Sequence, residues 1–219
     1  MKDKKVQVKD KKDNFSVALG LFDYINPIFY AITTFTIAKN MYGVMSRGVF
    51  IAFCIGAVVS LIFGLTIPTV KFIVGLGIMQ FKMPVNLVFY VNSGILISGL
   101  ALFYTVISPK PVIFICMLAL ILAALFMIYR KTKKFNTVAV LTGAAGYLLI
   151  YATMITLCVR SALVAPVVLY AIAICLFVSL CLIGIKANLK DARVHWVIEI
   201  CNVLCQMSVA IGTILAFKG

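Results

Sequence analysis

The sequence predicts an all-α, polytopic membrane protein: a bundle of seven transmembrane helices with its N-terminus inside and its C-terminus outside. Three observations carry this. Apolar residues fill 64% of the 219 positions and the mean hydropathy is +1.15, more apolar side chain than a soluble globule of that size can bury. Seven uninterrupted apolar stretches are long enough to cross roughly 30 Å of hydrocarbon at about 1.5 Å per residue. Every Lys and Arg falls outside those stretches, and most fall on one side. Continuous apolar runs, rather than short alternating segments, indicate helices and argue against a β-barrel.

Residues 1–14 form a basic cytoplasmic tail, and residues 15–219 a single transmembrane domain. The spans are placed at 15–38, 48–67, 84–107, 111–129, 136–159, 164–185 and 195–217. The first is too long for a signal-peptide core and lacks a small-residue cleavage site, so it is expected to remain in the mature chain. The sequon Asn14-Phe15-Ser16 lies on the cytoplasmic side and is read as chance. In span two, Gly56, Ser60 and Gly64 form a small-residue ridge suited to close helix packing. The segment 69–83 is ambiguous, because about ten apolar residues between Lys71 and Lys82 are too few to span. It either lies in the interface or continues span two past Pro68.

Span three offers Asn86, Tyr90, Asn92 and Ser93, and span five offers Thr142, Tyr147, Tyr151 and Thr153. Span four has no hydroxyl, amide or charged side chain before Tyr129, so it can face lipid nearly all round. Removing it leaves two groups of three helices in the same orientation, the three-plus-one-plus-three layout of a transporter with parallel repeats and a linker helix. The seven cysteines all fall within spans, where they read as small packing residues rather than disulfide partners.

The formal net charge of +14 suggests nucleic acid until the charges are located. With the N-terminus inside, fifteen Lys and Arg lie on the cytoplasmic side and five outside, the asymmetry that orients a membrane bundle. The expected partners are therefore the lipid bilayer and a small solute or cation, with no nucleic acid. The plasma membrane is the expected location.

Two acidic residues enter the membrane, Asp23 in span one and Glu199 in span seven. Both spans start on the cytoplasmic side, so the carboxylates differ in depth by only about 6 Å and can share one site. No Lys or Arg within a span is available to either, which leaves a protonated acid, a bound cation or a water-filled cavity. Asp23, Asn26, Tyr30 and Thr33 recur on one helical face. Pro27 cannot donate to the carbonyl of Asp23, so a kinked helix would present a bare carbonyl beside a carboxylate, a candidate metal-cation site with Asp23 and Glu199 as ligands. The competing reading is a structural kink whose polar neighbours bond between helices.

In span seven, His195, Glu199, Asn202, Gln206 and Thr213 line up on one face. His195 is the only histidine, one turn before Glu199, and suits either a proton relay or an interfacial belt beside Trp196. Asn202 and Gln206 suit substrate hydrogen bonds or helix gluing.

One histidine is too few for a zinc-dependent hydrolase, span seven has no lysine for a retinal Schiff base, and no nucleotide-binding or nucleophile-elbow motif is present. No cofactor is expected, and an enzyme is the less favoured reading. The favoured one is a transporter or channel that moves a small solute or cation through a polar site between spans one and seven. That site opens first to the cytoplasm and is proton- or cation-coupled. Its rivals are a lipid-modifying enzyme using His195 and Glu199 as an acid–base pair, and a non-catalytic receptor or subunit.

Overall fold

The computed structural model describes residues 16–78, 85–107, 111–186 and 192–218. The basic tail, Asn14 and the far end of the ambiguous 69–83 segment lie outside these residues. Helix α1 (Val17–Asp23) begins at Ser16, whose Oγ accepts a hydrogen bond from the backbone N–H of Leu19 at 3.1 Å, satisfying one of the donors that a helix start leaves free. Helix α2 (Ile25–Met41) begins after the single residue Tyr24. Pro27 explains the interruption, since it offers no N–H to the carbonyl four residues back and its ring clashes with that carbonyl. The helix therefore stops at Asp23 and restarts with Pro27 in its first turn, where a missing donor does no harm. Together α1 and α2 extend about 37 Å at 1.5 Å per residue, one interrupted crossing.

The remaining helices are α3 (Arg47–Gly75), α4 (Val85–Val106), α5 (Pro111–Thr132), α6 (Phe135–Arg160), α7 (Val164–Lys186) and α8 (Ala192–Ala216). All six are long and apolar enough to cross a membrane, and no strand occurs among the described residues. The chain is an integral membrane helical bundle. Large apolar side chains such as Phe35, Ile55, Leu120 and Phe126 face outward, as lipid-facing positions do.

Helix α3 corrects the expected boundary of span two. It runs through buried Pro68 to Gly75 and carries Lys71 inside the bundle rather than in a loop. Moving Lys71 out of the loop charges leaves fourteen cationic residues against five, so the charge asymmetry survives. Modification of single cysteines in a cysteine-free background checks the sidedness: Lys133→Cys should react only from the cytoplasm and Lys218→Cys only from outside. The reverse pattern would overturn the orientation.

Helix packing has a closed order. The α1–α2 pair packs on α3, α3 on α4, α4 on α6, α6 on α7, α7 on α8, and α8 back on α2. Mapping the first group of three spans onto the second exchanges the α4–α6 and α2–α8 contacts, so the order has the symmetry that a three-plus-one-plus-three layout requires. The two contacts differ in closeness. Between α4 and α6, a Cβ added to Gly146 would stand 2.6 Å from the backbone nitrogen of Leu96. Asn92 donates to the Ala139 carbonyl at 2.8 Å across the same interface. Small residues and interhelical hydrogen bonds of this kind draw membrane helices together where the hydrophobic effect does not. The α3–α4 seam is built likewise: Ser60 donates to the Val91 carbonyl at 2.7 Å and Ser98 to that of Phe53 at 3.2 Å. Gly56 and Ser60 thus serve the expected ridge, whereas Gly64 turns toward the interior cavity.

Helix α5 stands outside this ring. It leans on α6, with Tyr104 of α4 meeting Phe114 edge-on at 5.2 Å, and none of its membrane-length window is buried. Changing Cys116 and Met117 to Leu should therefore leave activity within about twofold. Loss of activity in a folded variant would mean that α5 lines the pathway.

Candidate functional site

Three ionisable side chains from three helices meet at the inner end of the broken crossing. Lys71 Nζ of α3 lies 2.7 Å from Asp23 Oδ2 and 2.6 Å from Glu199 Oε1. Asn26 bridges the other oxygens: its Nδ2 donates to Asp23 Oδ1 at 3.0 Å and to Glu199 Oε2 at 3.2 Å. Each carboxylate oxygen thus accepts a bond from Lys71 or Asn26, and all four residues are less than a tenth exposed. The expectation that no cationic side chain within a span is available to Asp23 and Glu199 is overturned by Lys71. The carboxylates do converge as their matched depth implies, but an ammonium already stands between them. A metal cation would have to displace it. Among the described residues, no group of three His, Cys, Asp or Glu side chains is arranged to hold a metal ion.

Local geometry explains how Lys71 gets there. Gly20 sits one turn before Asp23, and a Cβ on it would fall 2.8 Å from Phe72 Cα. The missing side chain lets the α1 backbone press directly onto α3 beside Lys71. Tyr24 and Thr69 share a 2.7 Å hydrogen bond one step further along, and Phe22 packs on Trp196 of α8 with ring centroids 5.6 Å apart. All three helices are clamped at this level. Ser60, Gly64, Ile67 and Lys71 recur at spacings of four, three and four along α3, so Lys71 points to the same interior face as the small-residue ridge.

Beyond the triad the ring encloses a cavity of about 210 Å³. It is lined by Asp23, Asn26, Pro27 and Tyr30 from the broken crossing, Ser60, Gly64, Ile67 and Lys71 from α3, Val91 and Ile95 from α4, Tyr147 from α6, and Glu199, Asn202 and Gln206 from α8. The space therefore lies between five crossings, not only between the first and the last. Gln206 donates to the Tyr147 hydroxyl at 2.9 Å, which fixes its amide at the wall. Among the described residues, two polar atoms of lining side chains are buried without a hydrogen-bond partner: Asn26 Oδ1 and the Tyr30 hydroxyl.

Comparison of the chain with protein-family models, curated proteins and solved structures finds no match. Function has to be argued from the geometry.

Of the residues singled out in the sequence, Asp23, Asn26, Tyr30, Glu199, Asn202 and Gln206 line this one cavity. His195 does not. It lies half-buried on α8, one turn before Glu199. Thr213 pairs with the Tyr170 hydroxyl at 2.7 Å and is helix glue, whereas the hydroxyls of Thr33, Thr142 and Thr153 donate to carbonyls of their own helices. Lys71 is the residue missed. Its signal was the helical stripe of small residues, which reaches Lys71 when carried two turns past Gly64.

Proposed function

We propose that the protein is a secondary transporter or ion-conducting protein of the plasma membrane. It moves a small solute or cation through the central cavity, with proton or cation occupancy of the Asp23–Lys71–Glu199 cluster coupled to that movement. One observation carries this reading: a buried cluster of two carboxylates and one ammonium beside a polar-walled cavity. With all three groups ionised the cluster carries one net negative charge, so one proton or monovalent cation neutralises it. Ionisable groups at membrane depth are costly and usually mark an ion path or a relay. A cluster kept only to glue helices has no need of an uncompensated charge, and neutral amides would serve there at lower cost. The broken crossing adds to the case, because interrupted helices at binding sites are a recurrent transporter device.

The direct check is purified protein in liposomes loaded with a pH-sensitive dye. A proton, sodium or potassium gradient should drive flux well above that of protein-free vesicles, and changing Asp23 or Glu199 to its amide should remove it. Flux at the protein-free level under all three gradients, from protein shown to be folded, would overturn the proposal. Turnover of lipid by the same preparation would favour the enzymatic alternative instead.

A further inference from the structure

The two unpartnered wall atoms identify the kind of solute the cavity fits. Both amide hydrogens of Asn26 are committed to the carboxylates, so its Oδ1 is fixed as a hydrogen-bond acceptor, and this oxygen is buried with nothing donating to it. The hydroxyl of Tyr30, another lining residue, likewise makes no close hydrogen bond among the described residues. A buried polar atom left unsatisfied is costly, and both belong to residues that line a space far larger than the roughly 10–15 Å³ that one water requires. With Asp23, Lys71 and Glu199 all ionised the cluster beside them carries one net negative charge, and a carboxylate oxygen can accept more than one bond. The lining also includes the apolar side chains of Ile67, Val91 and Ile95. The site thus asks for positive charge, several N–H donors and a short apolar body. A bare metal ion would leave the apolar lining residues without a partner, and an anion would meet the wrong charge.

We infer that the cavity binds a small protonated primary amine, its ammonium donating to Asn26 Oδ1, the Tyr30 hydroxyl and the carboxylates, and its alkyl chain lying against Ile67 and Ile95. Only the movement of the bound amine across the membrane rests on the transport reading, since the site itself is defined by the wall.

The test is thermal unfolding of the purified full-length chain in lipid nanodiscs, titrated with n-butylammonium chloride. Tetramethylammonium chloride matches the charge without N–H donors, sodium butyrate reverses the charge, and n-butanol removes it. A saturable rise in melting temperature with n-butylammonium is expected, with the three controls at least tenfold weaker. Tyr30→Phe removes a hydroxyl that makes no close hydrogen bond among the described residues and so should fold normally, while weakening the amine about tenfold, in the range of a hydrogen bond to a charged group. No saturable rise with n-butylammonium, an equal rise with tetramethylammonium, or undiminished binding by Tyr30→Phe would overturn the inference. Amine binding without any flux in liposomes would leave this site standing and remove the transport reading. Ion flux without amine binding would do the reverse.

Discussion

Changing Lys71 to Met should destabilise the bundle by about 3–5 kcal/mol, the usual consequence of removing one partner from a buried ion pair. Met fills a similar volume, so packing is nearly preserved and the loss is electrostatic. Without the ammonium, which lies 2.7 and 2.6 Å from Asp23 and Glu199, two buried carboxylates would face each other at the cavity. The deficit should be larger at pH 8 than at pH 5.5, where protonation removes the orphaned charges. Adding Asp23→Asn and Glu199→Gln to Lys71→Met leaves no charge in the cluster and should recover most of the stability. Denaturant unfolding in detergent reads all of these. A Lys71→Met protein within about 1 kcal/mol of the parent, with no gain from the added amides, would show that the cluster contributes nothing as an ion pair.

The largest functional effect is expected from the carboxylates taken singly. Asp23→Asn and Glu199→Gln keep side-chain shape and still present an oxygen to Lys71, so the bundle should stay folded, with a stability change under about 2 kcal/mol. The cluster, however, goes from one net negative charge to none. It can then bind a proton or cation only by becoming positive in a poorly solvated site, which is strongly unfavourable. Ion-driven flux should therefore drop to the protein-free level in either variant. Retention of flux within a factor of three would place the ion path elsewhere.

The crossings were legible in the sequence because each is a continuous apolar run. Span four read as lipid-facing for the same reason that α5 stays outside the ring: it has almost no polar group to offer a partner. Convergence of Asp23 and Glu199 was legible from matched depth, and the break at Asp23–Tyr24 from Pro27. The end of span two was legible only as two alternatives, of which continuation past Pro68 is the one found. Pro68 and Lys71 both signal a helix end in sequence, since one lacks a donor and the other is costly in lipid. Both rules yield here to tertiary contacts. Pro68 is enclosed by the bundle, and the Lys71 charge is answered by two carboxylates from helices distant in sequence. The same omission made the cluster look like a pair of unpaired acids, a cation site waiting to be filled.

A double-mutant cycle on flux tests most directly whether Asp23, Lys71 and Glu199 act as one unit. The parent, Asp23→Asn, Glu199→Gln and the double variant are reconstituted in parallel, and ion-driven flux is measured across external pH 5.5–8 at fixed salt. If the carboxylates share one exchangeable charge, each single change removes the pH- and salt-dependent flux and the double is no worse than either, a strongly non-additive result. Parental pH and salt dependence in both single variants, with small additive effects in the double, would contradict a shared site.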